Sequence, residues 1–294
     1  MDEALPFLRT DEATHLRRLV GDAFRRAGVR VTVHDDHVQG ENGMRYGLWN
    51  VAATCHESGH RRGWPAVVDR HVATLLHPPP SPADLTDEQL LASVVLRVMA
   101  ADQVPDEFRT NLTYATDVAP GLLQLFVADF PHSVATLGDE EVRRVGYDRM
   151  LAAGRTRLLA EPVEHEQVVL DGGARLDVFS GDSVFVASKV LVLDDVLRGV
   201  HGDRAYPDGV LVAVPERHDL VCHVVDGPHV VAALQTLAGS TARTWAQAPA
   251  SVSPSVYWWR DGALTRISRV GDDGRLAVEV HEELGEVLKR LAAT

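Results

Sequence analysis

Five consecutive residues, His56-Glu57-Ser58-Gly59-His60, match the pattern HExxH. On a helix, residues four apart share a face, so two imidazoles at this spacing can bind one zinc ion while Glu57 polarises an attacking water. At the His and Glu frequencies of this chain about 0.04 chance matches are expected. A third ligand has no marked place. Ala66 stands six residues after His60, where an extended metalloprotease motif carries another His, and Asp84 and Glu88 are the distant carboxylates that remain. The apolar stripe of this helix runs through Val51, Ala52 and Cys55, leaving His60 beside Arg61 and Arg62, so a zinc there would sit among cations. The leading reading is that His60, Arg61 and Arg62 complement the negative C-terminal end of a helix dipole. On that reading the chain carries no catalytic residue, cofactor ligand or metal ligand. The alternative is a zinc hydrolase with His56 and His60 as ligands and Glu57 as base.

Other residues with chemical potential are more isolated. Cys222 and His223 are adjacent in a predicted strand and point to opposite faces, which separates thiol from imidazole and leaves a buried thiol with an outward His. His165 stands between Glu164 and Glu166, where a carboxylate can orient its ring, although an exposed strand of mixed charge is the commoner case. Gly172-Gly173 fits neither the dinucleotide fingerprint nor the P-loop, so it supports no phosphate cradle. The nucleophile-elbow pattern GxSxG is absent. Tyr257, Trp258 and Trp259 lie in one predicted strand with Trp258 on the opposite face from its neighbours, a pattern of core and cross-strand packing rather than a ligand shelf.

These residues must be held by elements that the patterning predicts. Leu16, Leu19, Val20 and Phe24 recur at helical spacing over residues 14–27, with Gly28 as the stop. Val29, Val31 and Val33 alternate as in a strand, and Asp35-Asp36 marks a turn. A second helix is expected from Tyr46, weakened at Gly59 and ended at Gly63, and a third from Pro65 with Val67, Val68, Val72, Leu75 and Leu76 inward. Pro78-Pro79-Pro80 is the best boundary in the chain. Thr86 with Gln89 forms a capping box for a helix to about Met99. Residues 101–118 read as loop, residues 121–130 as a strand, and residues 139–159 as one long helix that opens on Asp139, Glu140 and Glu141. Strands at 163–170 and 174–180 flank Gly172-Gly173, and a helix covers 185–200. The segments GVLVAVPER and DLVCHVVDG pair as a hairpin across Arg217 and His218. A helix starts at Pro228, residues 239–254 look like linker, Asp261-Gly262 makes a tight hairpin turn, and a turn at 271–274, a strand at 275–280 and a helix from Glu282 follow. Short alternating groups with hairpins favour an α+β fold of antiparallel hairpins with flanking helices in two subdomains. Residues 1–77 form the first, 78–85 a Pro-rich linker, and 86–294 an α+β domain.

Composition narrows the partners. The 294 residues are 45% apolar and 24% charged, which fits one large or two ordinary globular domains. With 29 basic against 42 acidic side chains the net charge is −13, so a polyanion meets repulsion and nucleic acid is excluded as a partner. Two cysteines are too few for a disulfide scaffold and fit a reducing compartment. The start MDEALPFLRTDEATH lacks a signal-peptide pattern, and no stretch of 18 residues is free of charge, so a cytoplasmic protein without a membrane partner is expected.

The order of elements GLLQLFVADF, LGDEEVRRVGYD, GDSVFVASKVLVLDDVL and GVLVAVPERHDLVCHV, followed by a helix, resembles the YtpQ-like family of uncharacterised bacterial proteins over residues 121–237. The Leu48 to Leu76 helix pair belongs to the same likeness, whereas HESGH departs from it. The resemblance implies a cytoplasmic α+β protein and carries over no functional residue. Three functions are thus open. The leading one is a non-catalytic protein-binding or adaptor module, chaperone-like or immunity-type, whose acidic surface meets a basic partner. The zinc hydrolase is the second, and a small-molecule sensor using a cleft between helices and sheet is the third.

Overall fold

The computed structural model describes residues 1–271 and 273–293. The chain divides into two units, Met1–Ser81 with Phe130–Val134, and Pro82–Asp129 with Ala135–Thr294.

The first unit opens with α1 (Thr10–Arg26), whose buried Leu16, Val20, Ala23 and Phe24 lie on one face as their spacing requires. Strands β1 (Val31–Val33), β2 (His37–Gly40) and β3 (Arg45–Gly47) form an antiparallel sheet. Tyr46, expected to begin a helix, instead pairs with Val38 in this sheet, because a cross-strand partner outweighs local helical spacing. Helix α2 (Trp49–Glu57) follows, and α3 (Trp64–Leu76) has Pro65 in its first turn, where the missing amide costs nothing. Leu8, Leu16, Phe24, Leu48, Val51, Cys55 and Val68 form the core.

The second unit begins with α4 (Asp87–Ser93), closed by the expected capping box: Gln89 N–H donates to Thr86 Oγ1 and Thr86 N–H to Gln89 Oε1. The helix stops at Ser93 instead of running to Met99. Residues 94–100 form β4 (Val94–Ala100), where β-branched Val94, Val95 and Val98 are buried and the strand pairs along its whole length with residues 122–128. The expected loop at 101–118 contains α5 (Asp106–Arg109) and β5 (Thr116–Ala119), and then come β6 (Leu122–Phe130) and β7 (Ser133–Thr136). The long helix expected at 139–159 is two, α6 (Asp139–Val145) and α7 (Tyr147–Ala160), broken where Gly146 takes φ +96°.

Strands β8 (Glu164–Val169) and β9 (Arg175–Ser180) pair as expected. A 3-10 segment Ala187–Val192 and helix α8 (Leu193–His201) occupy the stretch read as one helix. The hairpin of β10 (Val210–Ala213) and β11 (Asp219–Val224) is present with Val212 opposite Cys222. Helix α9 (Val230–Gln247) runs well into the expected linker, because Ala238 and Thr241 are buried on its inner face. Strands β12 (Val256–Arg260) and β13 (Ala263–Arg266) join through Asp261 at φ 50° and Gly262 at φ 81°, the geometry of a tight hairpin. The unit ends with β14 (Ser268–Val270), β15 (Leu276–Val278) and α10 (Glu282–Ala292). Of the turn expected at 271–274, Gly274 N–H donates to Gly271 O, and Asp272 lies outside the described residues.

Six strands form one antiparallel sheet in the order β13-β12-β10-β11-β9-β8, and β4-β6-β5 with β7 form a second. The architecture is α+β. Alternation along the six strands divides their side chains between two cores. Val210, Val212, Cys222 and Phe179 pack with the 3-10 segment and α8, while Leu211, Ala213, Leu176 and Trp258 pack with α9 and α10. No helix among the described residues is long and apolar enough to cross a membrane.

Candidate functional site

The HESGH pentapeptide does not lie on one helical face. Helix α2 ends at Glu57, Gly59 takes φ +69°, and His60 is extended at φ −127° and ψ 119° before a separate 3-10 turn Arg61–Gly63. The spacing that makes i and i+4 neighbours therefore applies to neither imidazole with respect to the other. His56 rests against the Phe7 ring at 5.7 Å. Arg61 does not serve the helix end either: its guanidinium donates to Asp11 Oδ2 at 2.6 Å, which holds the Asp11 carboxyl below the usual carboxylate range. Among the described residues no group of three or more His, Cys, Asp or Glu is placed to hold a metal ion.

Cys222 is buried as expected, and burial pushes its thiol far up, which makes it a poor nucleophile. His223, expected to face outward, is itself only 4% exposed. Cys222 and His223 do face opposite ways, but both faces of this sheet are covered, so the face opposite Cys222 is also interior. Tyr257 and Trp258 are buried on opposite faces, and the Trp258 indole donates to Asp208 O at 2.9 Å, so this strand is core.

The sheet itself builds a place where such polar residues converge. Strands β9 and β11 pair from Asp219 opposite Ser180 to Cys222 opposite Asp177, and their register ends there. Beyond that point β9 continues beside β8 as far as Arg175 opposite Val169, while β11 continues beside β10 as far as Val224 opposite Val210. The two strands thus fork. A cleft of about 310 Å³ lies at the fork, at the small end of the range for ligand sites, lined by Gln167, Gly173, Arg175, Asp177, His201 and Arg204 together with His223, Asp226, Gly227 and His229.

Asp177 anchors one wall. Its carboxylate is 3% exposed and takes three donors: His165 Nε2 at 2.9 Å and Gln167 Nε2 at 3.3 Å on Oδ1, and His201 Nε2 at 3.0 Å on Oδ2. A carboxylate only accepts, so both rings present an Nε2–H to it. The carboxylate that orients His165 is therefore Asp177 on the neighbouring strand, not the flanking Glu164 or Glu166.

His223 forms the opposite wall and is left incomplete. Its Nδ1 lies 2.7 Å from Arg175 O, a carbonyl freed by the fork, so Nδ1 carries the proton and Nε2 carries the lone pair. Nε2 is buried without a hydrogen-bond partner among the described residues. Burial pushes the imidazole down in pKa, against the weaker opposing pull of the Arg175 carbonyl, Asp226 and Asp177, so the neutral ring is favoured.

The mouth carries positive groups. Arg204 donates to Asp226 Oδ2 at 2.6 Å, whereas the exposed Arg175 guanidinium has no ion-pair or hydrogen-bond partner among the described residues. Gly227 and His229 place the start of α9 at the cleft, and no side chain caps that helix and no acid stands in its first turn. Gly173 takes φ +92°, a conformation that favours glycine, and lies beside the His229 ring. The cleft therefore combines a lone-pair acceptor, an unspent cation and the amides of an 18-residue helix. No signal in the sequence singled out Asp177, His201, His229 or Arg175, which belong to three different elements or their edges: β9, α8 and the start of α9. The chain matches no family model, no curated protein and no solved structure.

Proposed function

We propose that the chain is a small-molecule-binding protein, a sensor or carrier, whose polar and acidic ligand sits in the cleft at the fork of β9 and β11. The observation that carries this reading is His223: a buried ring with its tautomer set by Arg175 O and its second nitrogen unsatisfied, beside an open cleft. A buried polar atom without a partner costs about 1–3 kcal/mol, a penalty that a ligand donor in the cleft removes. The unpaired Arg175 and the uncapped start of α9 favour a negative charge on the same ligand. Both cysteines are free and buried, in keeping with a cytoplasmic location.

The test is a thermal-shift screen of polar metabolites on the full chain and on Arg175→Gln. A ligand at one hundred times its Kd adds about 2.7 kcal/mol, which moves Tm by roughly 5–10 °C in a unit of this size. Acids are expected among the hits, with their shifts lost in Arg175→Gln. Hits that ignore this substitution, or no hits at all, overturn the reading.

The protein-adaptor reading draws on the net charge of −13 and on an apolar groove of about 370 Å³ beside Phe108, which is 57% exposed. Neither feature selects a partner, and the cleft is the better supported site. The zinc-hydrolase reading loses its geometric premise where α2 ends at Glu57.

A further inference from the structure

The inference below rests on the cleft being a ligand site and concerns what chemistry that site selects. Three features act together there. The Nε2 lone pair of His223 needs a hydrogen-bond donor, because Nδ1 is already committed to Arg175 O. The unpaired Arg175 guanidinium and the uncapped N-terminal end of α9, which Gly227 and His229 bring to the cleft, both favour negatively charged acceptors. Gly173 and Gly227 line the cleft without side chains, which lets backbone approach a compact group.

We propose that the cleft binds a phosphate group that still carries a proton, as inorganic phosphate or the head of a phosphate monoester, with the P–OH donating to His223 Nε2 and the charged oxygens held by Arg175 and the start of α9. A single tetrahedral group then supplies donor and charge at once. Sulfate has the same shape and is fully ionised at neutral pH, so it offers acceptors only and sets an oxygen against the His223 lone pair. Protonating the ring would remove that clash, but burial opposes the charge. A simple carboxylate lacks the donor for the same reason. A phosphodiester also lacks it; inorganic phosphate keeps a P–OH at neutral pH, whereas a monoester, with its second pKa at about 6, is mostly dianionic there and must take up a proton on binding, so the selectivity runs toward free phosphate first and monoesters second. His201 and Asp177 stand apart from this step, since each Asp177 oxygen is already engaged by the imidazoles.

The test uses the full chain at neutral pH, titrated in separate arms with inorganic phosphate, glycerol 3-phosphate, sulfate and lactate. Calorimetry gives affinities, and nitrogen-15 NMR of histidine side chains reports His223 directly, which avoids relying on a His223 variant that fails to fold. The expected result is binding of phosphate or glycerol 3-phosphate about tenfold or more tighter than sulfate. The His223 Nε2 resonance should shift while Nδ1 stays in its protonated range, and Arg175→Gln should weaken phosphate about tenfold. The tighter of the two phosphate arms identifies the source, free ion or ester. Equal affinity for sulfate with loss in Arg175→Gln keeps the cleft as an anion site and overturns the protonated-phosphate inference. Lactate bound more tightly than either phosphate, with a His223 shift, likewise keeps the cleft and overturns the ligand class. Absence of any phosphate effect on His223 overturns the inference outright, while acid hits in the metabolite screen would still support the broader reading.

Discussion

Replacing Asp177 by Asn is the sharpest test of how the cleft wall is held. The substitution preserves shape but turns one carboxylate oxygen into an NH₂ group. Set toward His201, that group faces an Nε2–H now 3.0 Å away; set toward β8, it faces His165 Nε2–H at 2.9 Å and Gln167 Nε2–H at 3.3 Å. In the present tautomers each orientation puts donor against donor, and the clash is relieved only if the facing imidazole moves its proton to Nδ1. An unsatisfied buried donor costs about 1–3 kcal/mol. His165 is 30% exposed and water can partly serve it, whereas His201 is 15% exposed, so the amide will turn its NH₂ toward His165. The net loss should be about 2 kcal/mol, close to a 30-fold drop in the folding equilibrium. With an m-value of about 2 kcal/mol/M in urea, the midpoint of the second unit should fall by about 1 M at unchanged m. Urea unfolding followed by NMR intensities of residues in β9 and β11 reads this unit alone. The double variant with His201→Ala should be less destabilised than the sum of the two single changes, because the ring and the carboxylate share one bond. A midpoint within about 0.25 M of wild type, or strict additivity with His201→Ala, would refute the account of Asp177 as a buried acceptor.

Three further outcomes follow from the same structure. Burial lowers the His223 pKa from its ordinary 6.5, so below that pH the unfolded chain binds more protons than the folded one; stability should fall as pH drops through 6.5 and the fall should be shallower in His223→Leu, measured by urea titration at several pH values. Gly209, at φ +80°, has no room for a side chain: a Cβ would lie 2.5 Å from Trp258 Nε1 and 2.6 Å from Trp259 O, so Gly209→Ala should cost about 3 kcal/mol or more and broaden the Trp258 indole signal. The Tyr114 hydroxyl donates to Leu137 O at 2.7 Å and accepts from Phe126 N–H at 3.3 Å, and burial pushes its pKa up; Tyr114→Phe should cost about 1–2 kcal/mol in thermal unfolding, while an unchanged Tm would show that water replaces both bonds.

Much of the secondary structure was legible because it is set by neighbours along the chain. The β10–β11 hairpin, the Asp261-Gly262 turn and the Thr86–Gln89 box each depend on φ and ψ preferences and hydrogen bonds within a few residues. Pattern and structure part where a distant partner decides between two locally acceptable states. Residues 94–99 satisfy helical spacing but are a strand because β6 lies alongside them, and residues 239–247 look like linker but stay helical because their inner face is covered.

The cleft was hidden for the same reason. Asp177 meets His165 across 12 positions and His201 across 24, and His223 meets Arg175 across 48, separations that leave no periodic trace. The sequence alone determined an acidic, α+β chain with its hairpins and caps, since composition and local torsional preference suffice for those. Only the tertiary structure decided that β9 and β11 part at Asp177 and Cys222, that His223 is interior, and that one of its nitrogens is unsatisfied. Burial and hydrogen-bond satisfaction are properties of which surfaces meet, and that is settled when the sheet is covered on both faces.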